Sequence, residues 1–324
     1  MSYRFIQIPK EVQQAQYLEA MERMVVKVSA CPGVVSIAQV GGIGSPGISD
    51  IDFFVVFKDD YKYEPNPAEG ISAGDRYLFT HNLFGTSQKF AARMEQYTYF
   101  GKYNNLYGEA LHFQQDLDPA GVEVMNQQIA KEYLLKAWLT IAIEKRSGVI
   151  KIRNLFLLAK ALAHDLALLR ISSGVLWETI REIIEIRKNW FLNPADSAQL
   201  TALVNRYEKE LFLFLKEELT GNFWLTDKNA LPISRNIFIQ RGNELRLRSL
   251  GLMLPAALRM QLPKGESLQR RLIRFTAEVP ASKSAVPTSV TGRHAWISSA
   301  VQYNARYLPG FVPTAYGLNI FNSK

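Results

Sequence analysis

The sequence predicts an α+β protein, and three observations carry that expectation. A Gly/Ser-rich turn feeds an apolar run across residues 41–57. Four successive stretches between 122 and 219 repeat their apolar residues with helical period. From 221 onward neither period dominates. At 324 residues and 48% hydrophobic content the chain can build a substantial core, either as two domains or as one large domain with an appendage. The expected division is 1–117, a mixed sheet with helices; 118–220, a helical bundle; and 221–324, a mixed basic segment ending in an aromatic-rich tail that packs on the body.

The elements follow in order. Val12, Ala15, Leu18, Met21 and Val25 recur at helical spacing after Pro9, and Pro32-Gly33 ends that helix. Residues 34–40 are rich in β-formers. Residues 41–49 read as a tight loop, and 51–57 as a strand covered on both faces, because its apolar run is broken only by Asp52. A third strand is expected over 76–84, a helix over 86–96 and a fourth strand over 105–113, with a linker at 114–121. Helices then follow at 122–146, 150–171, 175–191 and 195–219. Tyr303, Tyr307, Phe311, Tyr316 and Phe321 are too many aromatics for an unpacked tail.

Several function classes drop out early. The most apolar helical stretch, 155–169, is interrupted by Lys160, His164 and Asp165 and is too short to cross a bilayer, so no transmembrane segment is expected. The N-terminus lacks the apolar core of a signal peptide, and the single cysteine, Cys31, permits no internal disulfide; both fit a cytoplasmic location. The four histidines (81, 112, 164, 294) have no zinc-site spacing. Net charge is +8, and residues 235–274 hold nine Lys/Arg against Glu244 and Glu266. Such a segment either contacts a polyanion, nucleic acid among others, or is a solvated basic face.

The chemistry concentrates in Gly41-Gly42-Ile43-Gly44-Ser45-Pro46-Gly47-Ile48-Ser49-Asp50-Ile51-Asp52. Residues i and i+2 of a strand point the same way, so Asp50 and Asp52 project side by side. Two ionised carboxylates at that range repel, and a divalent cation removes the conflict. Mg²⁺ takes oxygen ligands, commonly one or two carboxylates plus substrate phosphates, and glycine amides can approach those phosphates closely. Ordinary Asx-turn and capping chemistry is the other reading of the same residues.

Val40-Gly41-Gly42 followed by Asp50-Ile51-Asp52, with Ser49 completing an S-D-I-D form found in many bacterial members, resembles the signature of the polymerase-β-like nucleotidyltransferase superfamily; Gly44-Ser45 is a second alignment of its Gly-Ser element. The resemblance covers about residues 25–115. It implies a nucleotidyltransferase catalytic domain at 1–117, one or two Mg²⁺ ions (or Mn²⁺) on Asp50 and Asp52, and a two-metal transfer of a nucleotidyl group from an NTP with pyrophosphate release. The acceptor stays open among an RNA end, a protein hydroxyl, a sugar and a small molecule. Gly41, Gly42, Ser45 and Ser49 are then the nucleotide-binding residues. Two departures stand out. Only seven residues separate Gly42 from Asp50, and where the family often has a third acid, within 76–84, the chain has His81; Asp75 and Glu109 are the substitutes. A degenerate, inactive member serving as a nucleotide- or polyanion-binding module is therefore the alternative. Arg153, Lys160 and His164 share one helical face, with Lys160 the candidate for a triphosphate contact and an intramolecular ion pair the plainer reading.

Overall fold

The computed structural model describes residues 3–98, 102–226, 230–262 and 265–314. Its elements are β1 (Arg4–Ile6), α1 (Gln14–Ser29), β2 (Val34–Val40), β3 (Asp52–Phe57), α2 (Ala73–Leu78), β4 (Phe84–Ser87), α3 (Gln88–Ala91) and β5 (Tyr103–Gly108). Next come α4 (Pro119–Arg146), β6 (Val149–Lys151), α5 (Ile152–Leu168), α6 (Val175–Asn189) and α7 (Ser197–Glu218). The chain continues through β7 (Leu231–Ser234), β8 (Ile237–Arg241), β9 (Arg246–Gly251), α8 (Ala256–Gln261), α9 (Gly265–Leu272), β10 (Ile273–Val279) and α10 (Thr288–Tyr307). The α+β class, a mixed sheet and a helical bundle region are all present, and no helix among the described residues is long and apolar enough to cross a membrane.

Two compact units are built from these elements. One comprises residues 10–125 together with 292–314. Its sheet runs β4-β3-β2-β5, with β3 antiparallel to β2 and parallel to β4. The unbroken apolar run of β3 has its physical reason here, since both faces are covered. Phe53, Val55 and Phe57 pack with Tyr17, Met21, Met24 and Val28 of α1, while Phe54 and Val56 pack with Ala91, Met94, Trp296 and Ile297. Tyr303, Leu308 and Phe311 complete the first of these cores, and Val312 bridges Phe84 so that the chain extends the sheet past β4. Gly85 lies under that contact: a Cβ there would stand 2.8 Å from the Phe311 ring and 2.9 Å from the Val55 carbonyl. Tyr316 and Phe321 lie outside the described residues.

The other unit holds residues 3–9 and 126–291. Strand β1 pairs in parallel with β6. Helices α4 to α7 match the expected periodic stretches to within a few residues, and a second sheet follows in the order β7-β8-β10-β9.

Local expectations fail in three places. Residues 76–84 are not a strand: Ser72 accepts a hydrogen bond from the Asp75 amide and caps α2, whose end buries Leu78 and Phe79. The expected helix over 86–96 shrinks to α3, because Thr86 and Ser87 finish β4 beside β3. The segment after 263 is more than a tail packed on the body, since it contributes β10, an inner strand of the second sheet, and the 20-residue helix α10.

Candidate metal and nucleotide site

Asp52 is the first residue of β3 and pairs with Val40, the last of β2. Asp50 lies two residues earlier, between the buried Ser49 and Ile51, so burial of alternate residues turns both carboxylates toward the same side. The Ile51 amide donates to the Leu78 carbonyl, which joins this segment to the end of α2. Just past that end come Thr80 and His81. Phe79, packed edge-on against Phe53 at 5.6 Å, anchors them. Thr80 Oγ1 donates to Asp50 Oδ2 (2.8 Å), and His81 Nε2 lies 2.7 Å from Asp52 Oδ1. Ligand atoms of Asp50, Asp52 and His81 all fall within 4.8 Å of one another.

Among the described residues, this is the cluster with metal-site geometry. Neither substitute acid belongs to it: Asp75 is held by Arg23 (2.7 Å), and Glu109 is exposed beyond β5. The third member of the cluster is His81. It falls within 76–84, the window of the expected third acid, but carries an imidazole in place of a carboxylate.

The electrostatics are those of a site with excess negative charge. Burial first, and then the neighbouring Asp52, raise the Asp50 carboxyl above its usual range, against the hydrogen bond from Thr80. Burial pulls His81 down, but Asp52 and the Asn82 carbonyl outweigh it and lift the imidazole to about 9. Its Nδ1 lies 2.7 Å from that carbonyl, which can only accept, so Nδ1 carries a proton; Nε2 carries the second when the ring is charged. Asp52 Oδ1 is buried and, although close to Nε2, has no hydrogen bond of acceptable geometry. A buried carboxylate oxygen in that state suits a cation: octahedral coordination at about 2.1 Å sets neighbouring ligand atoms ~3–4 Å apart, which the 4.8 Å cluster accommodates.

The glycine turn is pinned from below. Tyr17, fully buried, donates to the Ser49 carbonyl (2.7 Å) and accepts from the Gly47 amide (3.0 Å), while Tyr77 donates to the Gly47 carbonyl (2.6 Å). Ser49 is 3% exposed, and its hydroxyl accepts from the Ser45 amide. The Gly41 amide goes to the Lys102 carbonyl and that of Gly44 to Gly42. Gly42 and Ile43 are the turn residues whose amides make no hydrogen bond within the described residues. A Cβ at Gly41, Gly42 or Gly44 would meet nothing within 4 Å, so their outer side is open space. Gly41 needs glycine for its backbone, with φ at +71°.

Lys160 is half-buried on α5, in the unit of residues 3–9 and 126–291; on the same helix face Arg153 is buried and His164 exposed.

No protein-family model matches the chain, and no curated protein matches it. Among solved structures it is similar to a nucleotidyltransferase-like protein from Exiguobacterium sibiricum 255-15, with 13% identity over 61% of this chain and 79% of the other, at a TM-score of 0.19.

Proposed function

We propose that the chain binds a nucleoside triphosphate with a divalent cation at Asp50, Asp52 and His81, and transfers its nucleotidyl group to an acceptor with release of pyrophosphate. The observation that carries this reading is the convergence of those three side chains at the mouth of β3, beside a glycine turn whose outer side is open. In such a reaction an acceptor oxygen bonds to the α-phosphorus and the bond to the β-phosphate bridge breaks. A bound cation neutralises the phosphate charge on both sides of that exchange.

The chain's own residues divide the remaining work. Asp50 and Asp52 supply anionic oxygen ligands, and Thr80 fixes the Asp50 carboxylate through its hydroxyl. His81 first gives up its Nε2 proton, then serves as a neutral ligand or takes the acceptor's proton. The Gly42 and Ile43 amides present donors to phosphate oxygens, and Gly41, Gly44 and Ser45 shape the turn around them. An imidazole among oxygen donors shifts the preference from Mg²⁺ toward Mn²⁺.

One observation favours a second reading. The third position holds an imidazole paired with Asp52 rather than a third carboxylate, which suits a module that binds nucleotide without turning it over. Calorimetry of NTP binding with Mg²⁺ or Mn²⁺, run beside a pyrophosphate-release assay, separates the two. Cation-dependent binding with release, both lost in Asp50→Asn, supports transfer. Binding without release assigns the module, and no binding overturns both.

A further inference from the structure

The basic stretch 235–274 does not stay together in the fold. Arg259 is buried and donates to the Ser147 carbonyl, and Arg241 donates to the carbonyls of Ser282 and Leu225. Lys264 lies outside the described residues. Arg235, Arg246, Arg248, Arg270, Arg271 and Arg274 remain exposed.

Register places three of these on one surface. Across β7-β8-β10-β9, Leu231, Ile239, Ala277 and Leu247 form a row of directly paired residues, and all four are buried. The adjacent row points the other way and reads Pro232, Phe238, Thr276 and Arg248. Arg274 pairs with Leu250 on that same open face, and Arg246 pairs with Glu278. The guanidinium of Arg274 lies over the Phe238 ring, 3.8 Å from its centre. Glu278 meets Arg248 at 3.0 Å and Glu244 meets Arg246 at 3.8 Å; for Arg270, Arg271 and Arg274 no described carboxylate lies within ion-pair distance.

We infer that this open sheet face binds single-stranded nucleic acid. Charge complementarity sets the sign of the partner: exposed arginines outnumber acids on and beside the face, and arginine matches phosphate oxygens two at a time. The Arg274–Phe238 stack specifies more than charge. A guanidinium plane backed by an aromatic ring leaves its outer side available to an unpaired base, which stacks on such planes regardless of sequence. Thr276, paired with Arg248 and two residues from Arg274, adds a hydroxyl beside both cations. A lipid surface requires a continuous apolar face; here Leu250, at 78% exposure, stands between Arg248 and Arg274. This inference is independent of the reading given to Asp50, Asp52 and His81.

The test uses the full chain with a labelled oligo(U) of about 20 nucleotides, the same length of duplex, and anionic phosphatidylserine vesicles, each over a salt series from about 50 to about 300 mM. Oligo(U) should bind more tightly than duplex, and its affinity should fall log-linearly with salt. Arg248→Gln and Arg274→Gln together should weaken oligo(U) at least tenfold and reduce the salt slope by about 0.7 for each phosphate that is no longer neutralised. The exposed pair Arg246→Gln and Arg248→Gln, checked by thermal melting, guards against a folding defect. In the wild type, ultraviolet crosslinks should map to residues 231–251 and 273–279. The inference is overturned by an oligo(U) that does not bind at the lowest salt, by binding that the folded variants leave unchanged, or by vesicles captured where oligo(U) is not.

Discussion

Asp52→Asn separates two opposing effects at one residue, and pH tells them apart. Asp52 is attracted to His81 and repelled by Asp50. Against burial, Asp52, the Asn82 carbonyl and Asp50 together raise His81 from 6.5 to about 9, Asp52 contributing most; that is nominally ~3.4 kcal/mol at about 1.36 per pH unit. The His81 side chain is 41% exposed, so solvent screening reduces that to about 1 kcal/mol. Two carboxylates with ligand atoms no more than 4.8 Å apart repel by about 1–3.5 kcal/mol for effective dielectrics between about 80 and 20. The sign for His81 follows from its raised value. The pair's stabilisation is fully present below pH 6.5 and is lost as pH rises through about 9. The repulsion persists, because Asp50 only becomes more fully ionised on that side. In metal-free buffer at about pH 7 the substitution removes both effects, and the variant should equal the wild type or exceed it by up to about 2.5 kcal/mol, an advantage that grows by about 1 kcal/mol once the His81 attraction is gone. At about pH 10 only repulsion is left to remove, and the variant should be the more stable by ~1 kcal/mol or more. Urea unfolding of both proteins in EDTA at about pH 7, 8.5 and 10 measures this directly. Adding Mn²⁺ and NTP should raise the Tm of the wild type alone; ligand at about a hundred times Kd gives about 2.7 kcal/mol. A variant less stable by a constant amount at every pH, with no ligand effect in either protein, would show these aspartates to be turn-forming residues and refute the reasoning.

Three further outcomes follow from the same geometry. Gly42→Ala should leave stability within ~0.5 kcal/mol, since its methyl meets nothing within 4 Å, yet weaken NTP at least fivefold by calorimetry; Gly41→Ala should cost about 1 kcal/mol because of its positive φ. Tyr17→Phe strips a buried carbonyl at Ser49 and a buried amide at Gly47 of their partner, and should lower unfolding free energy by ~1–3 kcal/mol while loosening the turn in hydrogen exchange. Phe311→Ala empties a site packed edge-on against Phe57 (4.9 Å) and Tyr63 (5.7 Å) and should cost about 3–5 kcal/mol in urea unfolding; a loss under about 1 kcal/mol would show that this segment does not belong to the core.

The candidate site is half legible in the chain. Asp50 and Asp52 can be read because a D-x-D before an apolar run fixes facing through the two-residue period of a strand, and strand β3 follows at Asp52. Strand β2 at Val34–Val40 and helices α4 to α7 are legible for the same kind of reason, a period written into neighbouring residues. His81 is visible but without a role. Its place beside Asp52 depends on where α2 stops, and α2 itself passes for a strand because Tyr77, Leu78 and Phe79 are as apolar as a strand's interior. The cap at Ser72 and the burial of Phe79 under Phe53 decide that turn.

By itself, then, the sequence determined the α+β class, the strand carrying the aspartates, the periodic helices and the excess of basic charge. All of these depend on residues near one another along the chain, where backbone geometry alone sets facing and period. Tertiary structure decided the rest. It brought an imidazole rather than a third carboxylate beside Asp50 and Asp52, built Tyr303 and Phe311 into the core around β3, and sorted the arginines of 235–274 into buried, carbonyl-bound and exposed groups. Those outcomes follow from contacts between residues far apart in the chain, such as Asp60 and Tyr303, which are separated by 243 positions. Burial and strand register select among chemically similar side chains there, and no local pattern records the choice.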